Sequence, residues 1–293
     1  MSIHWPNELV SALARRRSVV VLGSGISRQA TNAAGDRPPT WGEFLGTAVT
    51  GLGAAQIVKR AIRQAITGKD YLLACQMVQD QMGDAEFRNF LRDAFLAPQF
   101  QAAPIHDSII ALDSRIVATP NFDKIYDTRV NTVQNNSVAV KCYYDDDVAQ
   151  ALRAQNRLVL KVHGTIDAPA RTVFTRQEYA RARQHNAAFY SILEALAVTH
   201  TFLFLGCGLS DPDVQLLLED YSYKYQFTAP HYFVLPRDYY SHNAALSSMA
   251  KSLNIRALTY DPAHDHAALK PAVDDLVQLV DDERQALQLS ADW

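Results

Sequence analysis

The sequence predicts an α/β protein with a mostly parallel, doubly wound sheet, helices on both faces and an α-helical insert. Three observations predict this class. Short runs rich in Val, Ile, Leu and Phe recur along the chain, as strands buried on both faces require. Helical patterns separate most of these runs, which favours parallel strand order. One long stretch, residues 41–103, contains helical patterns only.

The predicted elements follow one another in a regular order. The strand candidates are residues 18–22, 115–118, 137–141, 157–161, 201–205, 231–235 and 255–259. Helical patterns fill the insert at 41–50, 54–66, 71–81 and 85–96, and others occur at 211–223 and 240–253. A second helical segment is predicted at about 168–200, before the fifth strand. The two helical segments are expected to cover the carboxyl edge of the sheet, where ligands of open α/β sheets bind.

Composition limits the classes of function. The chain has 293 residues, of which 48% are hydrophobic, and this is enough for a single domain spanning 1–293. A formal charge of −3 does not indicate a general nucleic-acid binder. The three cysteines, Cys75, Cys142 and Cys207, are far apart, so neither a zinc site nor a disulfide framework is predicted. No signal-peptide pattern or membrane-length apolar run is present, and a cytoplasmic location is expected.

A glycine loop follows the first strand candidate. Gly23, Ser24, Gly25, Ile26 and Ser27 come directly after the run Val19-Val20-Val21-Leu22. Glycine lets the backbone approach a phosphate closely. The full GxGxxG pattern is not present, because Arg28 stands at its last position. A tight strand-to-loop turn is the alternative interpretation of the same residues.

Two further strand ends carry polar side chains. Asn121 and Asp123 follow the strand at 115–118, where an asparagine could bind ribose hydroxyls or orient a water, or the pair could form an Asx turn or helix cap. His163 and Gly164 follow the strand at 157–161. This histidine could act as a general base, or it could be a buried histidine bonded to a backbone carbonyl.

A second glycine loop follows the strand at 201–205. It reads Gly206-Cys207-Gly208-Leu209-Ser210-Asp211, and Pro212 comes next. Ser210 or Asp211 is predicted to cap a helix with Pro212 at its first position. The start of that helix could also bind an anion or a ribose.

The four loops together resemble the SIR2 family. The segments "GSGIS", "TPNFD", "KVHG" and "FLGCGLSDPD" occur in this order, with "PTW" after the first and "TRQEY" after the third. They are most similar to the SIR2-like domains of bacterial anti-phage defence proteins, over residues 18–260. The resemblance implies a Rossmann-like sheet that binds NAD at its carboxyl edge beneath a helical cap.

The resemblance also implies roles for individual residues. Asn121 would contact the nicotinamide ribose and place the attacking water, and His163 would be the base on a ribose hydroxyl. Asp123 would meet the nicotinamide carboxamide. The remaining implied NAD-binding residues are Gly23, Ser24, Gly25 and Ser27 at the phosphates, Thr119 beside the ribose loop, and Gly206, Gly208 and Ser210 on the adenosine side.

Two departures from the family pattern bear on the reaction. Deacylase members carry four zinc cysteines after the His-Gly pair, whereas residues 165–200 contain no cysteine. No zinc or other metal is therefore expected. Pro120 stands where family members have a glutamine or a threonine, and it offers no side-chain donor and no amide proton.

These features favour hydrolysis of NAD to nicotinamide and ADP-ribose in anti-phage defence. An NAD-dependent deacylase, an ADP-ribosyl transferase and a non-catalytic NAD-binding or ADP-ribose-binding scaffold remain alternatives. Because unchecked hydrolysis would kill the host, the activity is expected to be gated. The resemblance implies gating by a separate HerA-like ATPase or a short Argonaute, or by homo-oligomerisation, with nucleic acid reached only through a partner.

Overall fold

The computed structural model describes residues 3–208, 215, 218–219, 221–223, 228–239 and 243–290. In this part of the chain, seven strands form one sheet in the order β3-β4-β2-β1-β5-β6-β7. Every pairing in that sheet is parallel. The strands are β1 Ser18–Leu22, β2 Ile116–Thr119, β3 Val138–Cys142, β4 Arg157–Lys161, β5 Thr201–Leu205, β6 His231–Pro236 and β7 Ile255–Tyr260. The predicted α/β class is confirmed.

The strand order places a topological switch point beside β1. The chain builds outward on one side of β1 with β2, β4 and β3, and on the other side with β5, β6 and β7. Since all strands are parallel, the loops that follow β1, β2, β4 and β5 emerge at the same edge of the sheet. A switch point at the carboxyl edge is where sheets of this class bind ligands.

Helices cover both faces of the sheet. The helices are α1 Asn7–Ala14, α2 Ser24–Ser27, α3 Trp41–Gly51, α4 Gln56–Thr67, α5 Tyr71–Met82, α6 Asp84–Phe95, α7 Pro104–Ala111, α8 Ile125–Val133, α9 Val148–Arg153, α10 Arg176–His185, α11 Ala187–Thr199, α12 Asn243–Ser252, α13 Ala263–His266 and α14 Leu269–Ser290.

Successive residues of β1 point to opposite faces, as the period of two requires. Val20 and Leu22 join a core formed with α1, α7, α8 and α14. Val19 and Val21 join a second core formed with α9, α10 and α11. The strand is buried on both faces, which explains its uninterrupted apolar sequence.

The helical insert, α3 to α6, has its own apolar cluster beside the site edge. Thr40 starts the insert with a capping box to Glu43. The cluster also contains Phe174, from the segment after β4, and Phe122, from the loop after β2, packs against it. The rings of Phe122 and Phe174 lie 4.7 Å apart. The insert therefore packs on the two loops that carry the predicted catalytic side chains.

The second predicted helical segment is divided. A 3₁₀ turn spans Pro169–Arg171, and α10 and α11 meet at Asn186, whose backbone is not helical (φ −119°, ψ 38°). The predicted helices at 211–223 and 240–253 lie partly outside the described residues. Within the ranges described, no helix combines the length and apolarity needed to cross a membrane.

Candidate active site

The two glycine loops pack directly against each other. The Gly23 amide donates to the carbonyl of Leu205, and the Gly25 amide donates to the carbonyl of Gly206, both at 2.9 Å. A Cβ on Gly23 would lie 2.3 Å from the Gly206 oxygen. Gly206 has φ +64°, and a Cβ there would lie 2.6 Å from the nitrogen of Ile26. The glycines are therefore required for loop-to-loop contact, a reason that the sequence analysis did not foresee.

This packing leaves Ser24 as the available donor of the first loop. Because the amides of Gly23 and Gly25 are already bonded, these glycines supply clearance and not hydrogen bonds. Ser24 and Gly25 are both exposed at this edge of the sheet. No hydrogen bond engages the Ser24 amide within the described part of the chain. A phosphate at this loop would therefore meet the amide and hydroxyl of Ser24.

The second glycine loop is described only in part. Gly208 is half-buried, whereas Ser210 lies outside the described residues. Arg28, at the end of the first loop, forms two hydrogen bonds with the carboxylate of Glu43, at 2.6 and 2.9 Å. Its guanidinium thus fastens the first loop to the start of the helical insert.

A short hydrogen-bond relay connects the first loop to the loop after β2. The Ser27 hydroxyl lies 2.7 Å from Asp123 Oδ2, and Asn121 Nδ2 lies 2.9 Å from Ser27 Oγ. A carboxylate can only accept hydrogen bonds, so the single hydroxyl proton of Ser27 is donated to Asp123. Ser27 must then accept from Asn121, which places the amide NH₂ of Asn121 toward Ser27. Ser27 and Asp123 are both buried.

The relay leaves the carbonyl oxygen of Asn121 available. No hydrogen bond to Asn121 Oδ1 occurs among the residues that the structure describes, and the side chain is half-buried. The loop itself is fixed by Thr119, whose hydroxyl donates to the carbonyl of Leu22 at 2.6 Å and accepts from the Asn121 amide at 3.0 Å. Asn121 therefore presents an oriented acceptor beside the switch point.

Asp123 has a second contact at the start of α8. Its Oδ1 accepts from the Ile125 amide at 3.0 Å. Of the two interpretations that the sequence left open, the Asx turn is observed, since the bond reaches the amide two residues later, whereas the N-cap of α8 is Lys124 and has no side-chain capping bond. Asp123 Oδ2 accepts from the Ser27 hydroxyl, and Asp123 Oδ1 accepts from the backbone amide at the start of α8.

His163 lies level with Asn121 on the neighbouring strand end. Thr119 pairs with Lys161 in the parallel register, and Asn121 and His163 each follow two residues later. The His163 side chain is buried, and its Nδ1 lies 3.4 Å from the hydroxyl of Tyr179. A tyrosine hydroxyl from α10 thus faces Nδ1 of the ring, a contact that the sequence did not indicate.

Gly164 permits a tight turn immediately after His163. Its φ is +80°, and a Cβ there would lie 2.5 Å from the carbonyl oxygen of Arg171. The Val173 amide donates to the His163 carbonyl at 3.1 Å, which holds the returning chain against the histidine. The need for glycine at 164 thus comes from its positive φ and from the close backbone approach.

Two charged residues beneath the site were missed by sequence reasoning. Lys161 and Asp127 are buried, and Lys161 Nζ lies 3.0 Å from Asp127 Oδ2. Burial raises the pKa of Asp127, and the nearby Lys161 ammonium opposes that rise. A lysine closing the apolar run Leu158-Val159-Leu160 was the available signal, since lysine is rarely buried without a partner. In the described part of the chain, no group of three or more His, Cys, Asp or Glu side chains could hold a metal ion.

Comparison with known proteins shows what the region from β2 onward is similar to. Residues 115–258, from β2 through most of β7, match the family model described as SIR2-like domain. This part of the chain is similar to SIR2-like domains. The matched region includes Asn121, His163 and the second glycine loop, and the resemblance deduced from the four loops is confirmed.

Relatives of the SIR2-like domain come from bacteria. Defense-associated sirtuin 2 of Bacillus subtilis is 28% identical over 152 residues, which cover 51% of this chain and 15% of that protein. NAD(+) hydrolase ThsA of Enterococcus faecium is 23% identical over 228 residues, covering 76% of this chain and 44% of that protein. NAD(+) hydrolase ThsA of Cytobacillus dafuensis is 30% identical over 101 residues, covering 34% and 20%. The chain spans less than half the length of each of these relatives.

Proposed function

We propose that this SIR2-like domain hydrolyses NAD⁺ to nicotinamide and ADP-ribose. The observation that carries the proposal is the relay from Asp123 through Ser27 to Asn121. It orients an amide carbonyl at the carboxyl edge, level with His163 on the adjacent strand. The names of the relatives support the same reaction, because several are NAD(+) hydrolases and one is a defence-associated sirtuin.

Cleavage of the nicotinamide–ribose bond can be catalysed by an amide and an imidazole. Nicotinamide is cationic while bound to ribose and departs neutral, so the reaction needs no strong acid. Cleavage passes through an oxocarbenium-like sugar, as in glycoside hydrolysis generally. Catalysis then consists of holding the ribose, stabilising the cationic sugar and placing a water on its open face.

Each side chain has a part in that scheme. Asn121 Oδ1 accepts a hydrogen bond from the attacking water or from a ribose hydroxyl. His163 acts as the base on a ribose hydroxyl, with Tyr179 supporting the imidazole from the side of Nδ1. Ser24 donates to a phosphate oxygen of the dinucleotide. NAD is thus the substrate, and the proposal requires no metal.

The test is a time course of NAD consumption by chromatography. Protein with wild-type sequence releases nicotinamide and ADP-ribose in equal amounts, and Asn121→Ala and His163→Ala abolish the release. His185→Ala is a matched control, because this histidine is exposed at the end of α10. Intact NAD under every activating condition would refute the proposal. Nicotinamide release that depends on an acyl-lysine peptide would indicate a deacylase.

We also propose that the activity serves anti-phage defence and is gated. Free NAD hydrolysis would deplete the cell that makes the protein, so a restraint or an activator is required. The proposed activator is a separate sensor such as a HerA-like ATPase or a short Argonaute, acting on a homo-oligomer of this chain. Co-purification with candidate partners tests this, together with light scattering. An isolated monomer with full activity would contradict gating.

A further inference from the structure

We propose that Lys161 is a positioning residue that fixes the Asn121 loop against the strand carrying His163. The kinetic part of this inference rests on the proposed NAD hydrolysis. Lys161 is the last residue of β4, and its side chain is 1% exposed. Its Nζ lies 2.5 Å from the carbonyl oxygen of Asp123 and 3.0 Å from Asp127 Oδ2. The ammonium therefore touches both the loop after β2 and the helix that follows it.

The lysine contacts a backbone atom of the relay loop. Asp123 is the residue whose side chain orients Ser27, and Ser27 in turn orients Asn121. A bond to the carbonyl of Asp123 thus fixes the backbone from which the relay projects. Lys161 precedes His163 by two residues, so one side chain spans from the His163 strand to the Asn121 loop.

Stability alone does not explain a buried lysine at this position. Removing two charges from water is unfavourable, and a well-packed apolar pair is often as stable or more stable. Leu158, Val159 and Leu160 show that the strand accepts apolar residues on both faces. Asp127 Oδ1 is also buried without a hydrogen-bond partner in the described region, so the pair is incompletely satisfied. What an apolar pair cannot supply is the directed bond to Asp123.

Other hydrogen bonds also join the loop after β2 to the segment after β4, so the bond from Lys161 to Asp123 adjusts the position of the loop and is not needed to hold it there. The Val162 amide donates to the carbonyl of Thr119 at 2.9 Å, and the Ile166 amide donates to the carbonyl of Phe122 at 2.7 Å. These backbone bonds hold the loops together without Lys161. Loss of Lys161 should therefore shift the Asn121 loop without unfolding it. Small displacements of catalytic groups can cost about 100-fold in rate.

The experiment compares Lys161→Met with the double variant Lys161→Met/Asp127→Leu. The single variant leaves a buried carboxylate alone, and we expect it to lower the melting temperature and kcat. The double variant removes both charges, and we expect it to recover the melting temperature while kcat remains about 10- to 100-fold below wild type. KM for NAD should stay within about threefold, since substrate contacts are retained.

Two further variants separate positioning from general damage. Lys141 lies on the neighbouring strand β3 and pairs with Asp147 at the start of α9. We expect Lys141→Met, which removes this ion pair, to leave kcat at the wild-type value. Lys161→Gln retains a donor for the Asp123 carbonyl and is a milder change if the methionine variants fold poorly. We expect its kcat to lie between those of the wild type and the double variant. A double variant that recovers both melting temperature and wild-type kcat would overturn the inference.

Hydrogen exchange supplies a readout that does not need turnover. In the double variant, the amides of Asn121 and Ile125, which are bonded within this loop, should exchange faster than in wild type. Unchanged protection would overturn the positioning role. If the wild-type protein leaves NAD intact, the proposed function fails, and the exchange measurement still decides whether Lys161 positions the loop.

Discussion

Replacing Ser27 with alanine tests the relay that orients Asn121. The change deletes one hydroxyl and thereby two hydrogen bonds, at 2.7 Å to Asp123 and at 2.9 Å from Asn121. Asp123 keeps the bond from the Ile125 amide, so its carboxylate is not left entirely unpaired. Asn121 loses its only acceptor in the described part of the chain, and its amide becomes free to rotate.

The magnitudes follow from these two bonds. A bond to a charged group contributes about 1.5–3 kcal/mol and a neutral bond about 1 kcal/mol, so the free energy of unfolding should fall by about 2.5–4 kcal/mol. Only the bond to Asn121 bears directly on the reacting groups. Losing about 1–2 kcal/mol of orientation there corresponds to a decrease in kcat of about 5- to 30-fold.

The assay measures kcat and KM for NAD separately, alongside thermal unfolding. Ser108→Ala is the matched control, because Ser108 donates to Asp274 at 2.5 Å and this bond joins two helices, α7 and α14, that carry none of the relay residues. We expect this control to change stability while kcat stays within about twofold of wild type, because the lost bond lies away from the site.

The outcome distinguishes two roles for Ser27. The sequence resemblance implied that Ser27 binds an NAD phosphate, which predicts a higher KM with kcat unchanged when it is replaced. The relay predicts a lower kcat with KM nearly unchanged. An increase in KM alone would therefore refute the orientation argument and place the hydroxyl on the substrate.

Three other predictions concern the surroundings of the site. Gly206→Ala should disrupt the packing of the two glycine loops and abolish NAD cleavage, because the new Cβ would lie 2.6 Å from the nitrogen of Ile26. Gly46→Ala is the control: it lies in a helix with nothing within 4 Å of the new Cβ, and it should raise the free energy of unfolding by about 0.5–1 kcal/mol in thermal unfolding. Tyr179→Phe should lower kcat only about threefold, because its contact with His163 is long, at 3.4 Å. A loss as large as that of His163→Ala would refute this. Burial lowers the pKa of His231 from 6.5 to about 4. As the pH falls below about 6.5, this histidine therefore takes up a proton in the unfolded chain before it does so in the folded protein. The free energy of unfolding should decrease by up to about 3 kcal/mol between pH 6.5 and pH 4. Denaturant titrations of His231→Gln should show a smaller loss over that range, and an unchanged pH dependence would contradict the assignment.

The strands could be predicted closely because their signal is local. Each is a short apolar run bounded by polar residues, and burial on both faces imposes that composition on β1 and β4 alike. The start of the helical insert could also be predicted from local sequence, since Thr40 and Glu43 form a capping box within four residues. The break between α10 and α11 was not, because Asn186 is a weak signal inside a continuous helical pattern.

The site was predictable in its parts but not in its connections. Asn121, Asp123 and Ser27 were each identified from a strand-end loop. In the relay, however, Ser27 bonds to Asn121 and Asp123, which lie 94 and 96 positions away in the sequence, and no local pattern indicates such pairing. Lys161 was overlooked although it closes an apolar run, because its partners are distant in the sequence. Its burial depends on Asp127 and on the Asp123 carbonyl, which approach it only when β2 and β4 pair.

The glycine loops show why a motif is an incomplete guide to a site. Glycines after a strand suggest a phosphate, but Gly23 and Gly25 give their amides to the second loop, and their missing side chains make room for Gly206. The space left by the missing side chains of Gly23 and Gly25 is thus occupied by Gly206 and is not open to a ligand. Under the proposed function, a dinucleotide would then be bound by Ser24 and by the side chains beside the two packed loops. The glycines allow the loops after β1 and β5 to pack directly against each other, beside the loop that carries Asn121.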